Sequence, residues 1–485
     1  MKIFLQGHNE KYPIEQMLMM LFPEERPEYI EEPTFEENEL IITLTSSEKS
    51  FAAIANLRKE NQLFSKTCLA HRSLPVDPIA DTKLIRHVIA RAFYLVAVKV
   101  LQKEPVWGML SGVRPVKIPT HAMLAGDSAK KANQLLARYH VSAPRRRLAI
   151  DCADVCVAVK EMLKPNEISL YVGIPFCPSR CAYCSFISAA GHHELISPYL
   201  DALNLEIDAA AAAIHQANAR IKTVYIGGGT PTTLSAIQLT ALCTHLKEAF
   251  QLTDDLEFTL EAGRPDTITR DRLEAAKALG VNRISVNPQS MSDSVLKAVG
   301  RNHTVKQIRE AFALARQVGF DAVNMDLIAG LPEDSTEGFR KTLAEVIKME
   351  PENITVHTLA LKRGAALPQT QIDLPTPLEV TQMLDEANMT LRSAGYHPYY
   401  LYRQKFMSAS LENVGWMQAG HESVYNICMM EELHSVLALG AGGVTKAVNH
   451  SEGKVTRLAN PKYPQDYIRD IGKICETKSG WMPFI

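Results

Sequence analysis

The sequence is short of cysteine, of surplus charge and of long apolar runs, and each shortage excludes a class of protein. Its nine cysteines, an odd number scattered over 485 residues, suit a reducing compartment better than a disulfide framework. The formal net charge of −2 lacks the basic surplus of a dedicated nucleic-acid binder. No run approaches the roughly 18 apolar residues that a membrane span needs, and the N-terminus turns polar too early for a secretory signal. We therefore predict a cytoplasmic protein with no membrane span and no nucleic-acid partner.

What the chain does have is an ordinary globular composition and a change of pattern near residue 168. Apolar residues make up 46% and charged residues 22%, enough for cores of normal size. Before that point, "ELIITLTS" (39–46) alternates like a half-buried strand, and residues 82–103 have the apolar spacing of a helix. The Gly- and Pro-containing residues 105–120 predict a structured loop. The arginine-rich residues 143–149 predict a solvated surface connection.

After residue 168, short strand-like runs alternate with helical ones. This pattern predicts about six βα units, in which crossover helices join parallel strands. Six units are too few for a closed eight-stranded barrel, so we predict an open, partial barrel with its ligands at the carboxyl ends of the strands. The strand-like runs are "ISLYVGI" (168–174), "KTVYIGG" (222–228), "LEFTLEA" (256–262), "NRISVN" (282–287), "DAVNMDLI" (321–328) and "NITVHTLAL" (353–361).

The predicted fold class is α/β with three domains. Residues 1–165 form an N-terminal α/β accessory domain in this prediction. Residues 166–370 form the partial (β/α)6 barrel. Residues 371–485 mix helices with turns and form a small C-terminal α+β domain that packs on the barrel.

The chemistry concentrates in "YVGIPFCPSRCAYCSF", residues 171–186. Cys177, Cys181 and Cys184 have the spacing Cys-x3-Cys-x2-Cys directly after the first predicted barrel strand. Zinc sites usually pair their cysteines in two separated sets, and no second pair follows at a suitable distance. Thiolates suit iron–sulfur clusters, which normally take four protein ligands. Three ligands leave one iron open, and an open position marks a catalytic metal that binds an exogenous ligand.

The remaining cysteines carry no such pattern. Cys152 and Cys156 are four apart on a predicted helix and are interpreted as small buried residues. The others are interpreted as structural: Cys68, Cys243, Cys428 and Cys475.

The cysteine spacing, with Tyr183 before the third cysteine, resembles the radical S-adenosylmethionine (radical SAM) superfamily. "YVGIPFC" (171–177) and "YIGGGTPTTL" (225–234) narrow the resemblance to the oxygen-independent coproporphyrinogen III oxidase group. The N-terminal extension with "WGMLSGVRP" (107–115) resembles its long variant, the HemZ-type coproporphyrinogen dehydrogenases. The resemblance implies a [4Fe–4S] cluster on the three cysteines, with S-adenosyl-L-methionine chelating the free iron. An electron from the cluster would cleave the sulfonium to give a 5′-deoxyadenosyl radical.

Several side chains at predicted strand ends suit such cofactors on residue type alone. The glycines of "GGGTPT" (227–232) let backbone groups approach a ligand closely. Glu261 can hold ribose hydroxyls or an ammonium group. The planar guanidinium of Arg301 suits a carboxylate, and Asp326, inside a strand that should be buried, needs a partner.

The resemblance implies roles for these residues in two S-adenosylmethionine sites, one on the cluster and a second nearby. Tyr171, Gly228 and Glu261 match the first, and Tyr171 is counted with the three cysteines as catalytic. The second site is matched by Tyr183, Gly229, Thr230, Gln289, Arg301, Asp326 and Ala360.

The reaction implied is oxidative decarboxylation of two propionates of coproporphyrinogen III, or of a related porphyrin, giving the vinyl groups of protoporphyrinogen IX. A flavodoxin- or ferredoxin-type protein would donate electrons. A substrate with four carboxylates needs cationic anchors, because each carboxylate must be paired when it leaves water. The candidate anchors are Arg114, Lys362, Arg363, Arg403 and Lys405.

Two departures from the family pattern leave alternatives open. Phe186 stands where the short bacterial enzymes carry a fourth cysteine, and Gly173 stands where a histidine is common. These changes, with "GHESVYN" (420–426) and "LGAGG" (439–443), resemble the related heme chaperones, which bind heme with a cluster and make no vinyl groups. A heme-binding or trafficking protein, with His421 as candidate heme ligand, is therefore the alternative function. Another radical reaction on a porphyrin, such as methyl transfer or ring opening, is a further one.

Overall fold

The computed structural model describes residues 1–72, 77–184, 189–360, 373–404 and 411–481. Contacts divide the chain into two units. The first is Met1–Val113 with Lys130–Arg147, and the second is Arg114–Ala129 with Leu148–Ile485. The candidate site residues that the structure describes belong to the second unit. Outside the described residues lie Phe186, Lys362, Arg363 and Lys405.

The first unit is built on a mixed sheet that, among the described residues, has five strands in the order β2-β1-β3-β4-β5. Alternate residues of β4 are buried, as expected for a strand with one face on a core. The buried face packs against helix α2, where Val88, Ile89 and Phe93 are fully buried. The elements are β1 (Lys2–Gln6), α1 (Tyr12–Leu21), β2 (Glu28–Tyr29), β3 (Glu39–Ser46), β4 (Ser50–Lys59), β5 (Gln62–His71), α2 (Pro78–Leu101) and α4 (Ala129–Arg138).

Two predictions about the chain before residue 168 were wrong in part. The loop predicted over 105–120 ends early, because helix α3 (Lys117–Leu124) begins within it. Residues 143–149 are not a surface connection but the first turns of helix α5 (Ala143–Met162). Arg145 is only 2% exposed there. The charges in this run concealed a helical stripe of buried apolar residues that continues to Val159.

The second unit contains, within the described residues, an eleven-stranded sheet in the order β14-β15-β13-β12-β11-β10-β9-β6-β16-β17-β18. Its centre is the run of neighbouring parallel strands from β6 to β13. These parallel strands are β6 (Glu167–Ile174), β9 (Arg220–Gly228), β10 (Glu257–Glu261), β11 (Arg283–Ser285), β12 (Ala322–Ala329) and β13 (Asn353–Thr358). Each coincides with one of the predicted strand-like runs, which confirms the open, partial barrel.

Helices follow the parallel strands as crossover connections. Four of them begin at a residue whose side chain caps the helix, and the Ser235 cap of α7 is a capping box with Gln238. The predicted helices are present, and the short α9 is an addition. The helices are α6 (Ile196–Gln216), α7 (Ala236–Phe250), α8 (Arg270–Ala278), α9 (Asp293–Ala298), α10 (Val305–Val318), α11 (Thr336–Lys348) and α12 (Pro377–Ser393).

The C-terminal part of the chain extends the barrel sheet at both of its edges. β15 pairs antiparallel with β13, and β16 pairs in parallel with β6. The elements are β14 (His397–Arg403), β15 (Glu412–Met417), α13 (Val424–Glu431), β16 (Val436–Leu439), β17 (Val444–Asn449), β18 (Lys454–Ala459), α14 (Pro464–Arg469) and α15 (Ile471–Ser479). The division into three domains stays a prediction. Among the described helices, none combines the length and apolar character needed to cross a membrane.

A buried polar network joins β6 to the "LGAGG" loop (439–443). Tyr199 donates to the main-chain oxygen of Gly173 at 2.5 Å and accepts from the main-chain nitrogen of Ala441 at 2.9 Å. A Cβ atom at Gly173 would lie 3.0 Å from the oxygen of Ala441. This close packing gives a physical reason for glycine at a position where a histidine is common in the family.

The same loop is held by the buried carboxylate of Glu206 on α6. The main-chain nitrogen of Gly440 donates to it at 2.7 Å. Further donors to Glu206 come from the end of the chain: Asn460 at 2.8 Å and Tyr467 at 2.5 Å, with Lys478 at 3.6 Å as ion-pair partner. A buried carboxylate satisfied in this way stabilises one arrangement of the C-terminal strands on the barrel.

Candidate active site

A cavity of about 380 Å³ lies at the carboxyl ends of the parallel strands. Tyr171 is not among its described lining residues. The predicted residues that line it are Cys177, Cys181, Cys184, Tyr183, Gly228, Gly229, Thr230, Glu261, Gln289, Arg301, Asp326 and Ala360. The topology therefore brings together residues that are dispersed over more than half of the barrel sequence.

The cysteine loop begins at the end of the short strand β7 (Phe176–Cys177), which pairs with β8 (Ala189–Ala190). The main-chain nitrogen of Cys184 donates to the oxygen of Cys181 at 3.0 Å, so the loop turns between them. Thr230 donates its hydroxyl to the Sγ atom of Cys177 at 3.4 Å. The loop is thus fixed by its own turn and by the loop that follows β9.

The three cysteines suit a cluster in number and chemistry. Thiolates are soft ligands that iron–sulfur clusters select. Each thiolate of a cubane binds a different iron, so the three sulfurs need not converge on one point. In the part of the chain that the structure describes, no group of three or more His, Cys, Asp or Glu side chains could hold a metal ion.

The glycine loop after β9 packs directly on the segment that leads into the cysteine loop. The nitrogen of Gly229 donates to the oxygen of Ile174 at 2.8 Å, and Thr230 donates in the same way to Phe176 at 2.7 Å. A Cβ at Gly229 would lie 2.9 Å from that Ile174 oxygen. Glycine is required here because two backbone segments touch, a constraint that adds to any ligand contact.

Tyr171 packs against this glycine loop. Gly228 has φ +110°, and a Cβ there would lie 3.1 Å from the Tyr171 hydroxyl. The Tyr171 ring stacks with Tyr225 and Tyr425 at centroid distances of 6.4 and 6.5 Å. Burial raises the pKa of its phenol. The structure therefore places Tyr171 under the glycine loop, while its catalytic and cofactor roles stay predictions.

Glu261 is held at the end of β10 by neighbours on β9. Tyr225 donates its hydroxyl to Oε1 at 2.6 Å, and the nitrogen of Gly228 donates to Oε2 at 3.1 Å. Burial is the main influence on this carboxyl and raises its pKa, and the nearby charge of Asp326 acts in the same direction. The carboxyl group is fixed in orientation where it lines the cavity.

Asp326 and His357 form a polar pair on the opposite wall. Asp326 Oδ2 lies 3.7 Å from His357 Nε2, and Asn324 donates to Oδ1 at 2.8 Å. Burial opposes ionisation of Asp326, but the nearby His357 imidazole and the hydrogen bond from Asn324 outweigh it and hold the pKa of Asp326 below its usual value. The Tyr402 hydroxyl lies 3.4 Å from His357 Nδ1. This wall can present a carboxylate, an imidazole and a phenol to a ligand.

Gln289 and Asn287 leave buried acceptors open at the cavity. The described residues supply no hydrogen-bond donor to Gln289 Oε1 or Asn287 Oδ1, although both side chains line the cavity. Gln289 also adopts φ +68°, a strained value for a residue with a side chain. An unsatisfied buried acceptor costs free energy. These atoms therefore fit a ligand that carries hydrogen-bond donors, such as S-adenosylmethionine.

Arg301 is a buried cation at this cavity. It donates to the oxygen of Asn287 at 2.6 Å and to the hydroxyl of Tyr183 at 3.2 Å. Burial raises the pKa of Tyr183, so Tyr183 stays a neutral partner beside the guanidinium. Arg301 can therefore keep its charge for a carboxylate ligand.

The described substrate-anchor candidates do not line the cavity. Arg114 pairs with Glu432 at 2.5 Å. Arg403 is buried at the end of β14, where burial lowers its pKa to about 10. The main-chain oxygen of His421 accepts bonds from Arg283 and Asn353, which ties the loop to β11 and β13. The positions of Arg114, Arg403 and His421 give no support to a ligand role in this cavity.

Sequence reasoning missed several lining residues because they belong to no motif. His357, Arg264 and Tyr402 are among them. Alternation was the available signal: in β12 and β13, polar residues occupy every second position, which is unexpected for a parallel strand buried on both faces. The polar positions concerned are Asn324, Asp326, Asn353, Thr355 and His357.

Comparison with known proteins assigns the family. Residues 171–346 match the radical SAM superfamily. The chain is 38% identical over 369 residues to the oxygen-independent coproporphyrinogen-III oxidase-like protein HemZ of Bacillus subtilis, covering 74% of this chain and 74% of that protein. The chain belongs to the oxygen-independent coproporphyrinogen III oxidase-like group of the radical SAM superfamily. Its cofactors are accordingly a [4Fe–4S] cluster and S-adenosyl-L-methionine.

Two further comparisons extend the picture. The chain is 28% identical over 313 residues to the heme chaperone HemW of Haemophilus influenzae, covering 64% of this chain and 77% of that protein. The structure of coproporphyrinogen III oxidase (HemN) from Escherichia coli, described as a radical SAM enzyme, matches with TM-score 0.51 and 26% identity, covering 66% of this chain and 72% of that one. The predicted partial radical SAM barrel is confirmed.

Proposed function

We propose that the protein converts two propionate side chains of coproporphyrinogen III to vinyl groups without oxygen, giving protoporphyrinogen IX. The observation that carries the proposal is one cavity that gathers the cysteine loop, the glycine loop and a separate polar wall. In such an arrangement the cofactors and the substrate can bind at different walls of one cavity. The likeness to HemZ and HemN supports the choice of substrate.

The chain's own residues hold and orient the reactants. When bound, the cluster and S-adenosylmethionine supply the radical that removes a hydrogen atom. From each propionate, one hydrogen atom leaves to the radical, carbon dioxide departs and one electron passes to an external one-electron acceptor, so that a carbon–carbon double bond remains. The cluster is assigned to Cys177, Cys181 and Cys184. The side chains that line the cavity would shield the reacting carbons of a bound substrate from water.

The two S-adenosylmethionine sites follow the grouping expected from the family. Glu261 and the glycine loop would hold the molecule on the cluster, with Tyr171 supporting the loop. Arg301 would pair with a carboxylate, and the open acceptor of Gln289 would take a donor from the ligand. The second-site set is completed by Tyr183, Gly229, Thr230, Asp326 and Ala360.

The wall formed by β13 and β14 would receive the tetrapyrrole. Tyr400, Tyr402 and His357 line the cavity there, and aromatic rings that carry polar atoms suit a flat molecule with polar edges. Lys362 and Arg363 follow Ala360 closely in the sequence, and Lys405 follows Gln404 directly. Ala360 and Gln404 both line the cavity, so these cations are the proposed anchors for the propionates.

A heme-binding or trafficking role is the second candidate. The likeness to HemW and glycine at position 173 favour it. Glycine at that position has its own structural reason in the packing of the "LGAGG" loop. His421, the expected heme ligand, is not among the described cavity residues.

Anaerobic incubation of the reconstituted protein with coproporphyrinogen III, S-adenosylmethionine and dithionite separates the two candidates. Protoporphyrinogen IX and about two 5′-deoxyadenosines per product molecule would support the decarboxylase. Stoichiometric heme binding in absorption spectra, with neither product formed, would favour the chaperone. The Cys243→Ala protein, altered on α7, serves as the control for general damage in parallel with Cys181→Ala.

A further inference from the structure

We infer that Arg264 is a positioning residue that holds the cysteine loop and raises the reduction potential of the cluster. The inference rests on the proposed binding of the cluster by Cys177, Cys181 and Cys184. Arg264 follows the end of β10 in "EAGRPD" (261–266) and is 3% exposed. Nothing in the family resemblance singled it out.

The guanidinium of Arg264 reaches the cysteine loop with one nitrogen. Nη1 donates to the main-chain oxygen of Ser179 at 3.1 Å and to its hydroxyl at 2.8 Å. The same nitrogen lies 3.9 Å from Cys181 Sγ. One buried cation therefore contacts both the backbone of the loop and the thiol that lies in its middle.

The other guanidinium nitrogens are anchored. Nε donates to Asp266 Oδ1 at 3.0 Å, and Nη2 donates to Oδ2 at 2.9 Å. A two-pronged pair of this kind fixes the plane of the guanidinium. Because Asp266 holds two nitrogens, the third is aimed at Ser179 and Cys181.

A positive charge beside a ligating sulfur changes the energy of cluster reduction. Potentials of iron–sulfur clusters depend on net charge and on hydrogen bonds to the sulfurs. Reduction adds a negative charge, so a nearby guanidinium favours the reduced cluster and raises the potential. Arg301 also interacts electrostatically with Cys181, but we propose above that Arg301 binds a carboxylate of a ligand. Arg264, tied to Asp266, is a buried cation that bonds both the main chain and a side chain of the loop.

The charge on Asp266 allows a test with two opposite signs. Arg264→Gln removes the cation and should lower the potential. Asp266→Asn removes the anion, leaves the cation and should raise the potential. Both substitutions loosen the anchor, so both should speed amide hydrogen exchange of residues 177–184 in the cluster-free protein. A merely structural role would change the exchange in both variants without opposite shifts in potential.

The experiment measures cluster content, midpoint potential by anaerobic spectroelectrochemistry, and hydrogen exchange of the cluster-free chain. Arg264→Lys keeps the charge and should stay nearer to the wild-type potential than Arg264→Gln. Arg270→Gln, at an exposed position on α8 where the side chain is 55% exposed, is the matched control and should change neither readout.

The outcomes are distinct. An unchanged potential in Arg264→Gln at wild-type cluster content overturns the inference, as does a shift of the same sign in Asp266→Asn. If Arg264→Gln fails to hold a cluster, the midpoint potentials of Arg264→Lys and Asp266→Asn are compared. A higher potential in Asp266→Asn supports the inference, and equal potentials overturn it. Absence of a cluster from the wild-type protein would contradict the proposed function itself, before Arg264 is tested.

Discussion

The two walls of the cavity differ in the kind of structure that forms them. The wall formed after β6, β9 and β10 consists of loops with fixed residue types: three cysteines, successive glycines and a carboxylate at a strand end. The wall formed by β13 and β14 consists of single side chains inside strands, such as His357, Tyr400 and Tyr402. The first wall can be found by motif, and the second depends on which face of each strand points inward.

The difference follows from what each wall must hold. A cluster and a nucleotide need particular ligand atoms at particular spacings, and close backbone contacts that only glycine permits. A substrate wall needs shape and a few polar atoms, which many residue combinations provide. We therefore expect substitutions in the first wall to affect S-adenosylmethionine cleavage and those in the second to affect the porphyrinogen.

The largest effect is expected from Cys181→Ala. Loss of one of three thiolates should abolish cluster retention and reduce 5′-deoxyadenosine formation to background, because the cluster supplies the electron. Iron and sulfide analysis with chromatographic detection of 5′-deoxyadenosine checks this. Cys243→Ala should keep both, and normal activity in Cys181→Ala would refute the assignment.

Glu261→Gln should weaken S-adenosylmethionine binding about ten- to a hundred-fold, the usual range for loss of a charged hydrogen-bond partner. The variant keeps the size of the side chain but removes its charge and replaces one of the two acceptor oxygens used by Tyr225 and Gly228 with a donor. Equilibrium binding to the reconstituted protein measures it. Cluster content should stay at the wild-type level, which separates this effect from that of Cys181→Ala.

These two predictions concern the part of the site that the sequence reveals best. The parallel strands agree with the predicted runs because local apolar pattern and turn residues decide them. The placement of β16 beside β6 has no local signal, since the pairing joins distant parts of the chain. Arg264 was missed for a similar reason: its contacts in the cysteine loop lie 83 and 85 positions away.

Tyr402→Phe tests the second wall. Loss of the hydroxyl near His357 should weaken porphyrinogen binding about five-fold, which corresponds to about 1 kcal/mol for one hydrogen bond. S-adenosylmethionine affinity should change less than two-fold. Competition binding with coproporphyrin and a parallel measurement with S-adenosylmethionine give the two numbers. An equal loss of affinity for both ligands would contradict the assignment of the two walls to different ligands.

The smallest effect on activity is expected from Glu431→Gln, at the end of α13, whose residues Asn426 and Met430 line the cavity. Burial raises the pKa of Glu431 to about 8, although Lys117 and Arg114 oppose this. Its carboxyl oxygens have no hydrogen-bond partner among the described residues.

The sign of the pH dependence follows from that raised pKa. Between pH 4.5 and about 8 the folded protein keeps a proton that the unfolded chain has lost, so the free energy of unfolding falls as the pH rises. The contribution is at most about 1.4 kcal/mol per pH unit. Glu431→Gln should remove this slope and be the more stable protein at pH 8.5. Urea unfolding at pH 5.5, 7 and 8.5 checks it, and parallel curves for both proteins would contradict it.

The hydrogen-bond donors that surround Glu206 are synthesised long after Glu206 itself. Tyr467 lies 261 positions after Glu206, and Gly440 lies 234 positions after it. A chain emerging from the ribosome N-terminus first exposes the cysteine loop and the β6 edge long before these partners exist. Until residues 436–467 have been synthesised, the carboxylate lacks these donors and β6 lacks its β16 neighbour. The barrel sheet can therefore take its final form only after these partners have been added to the chain.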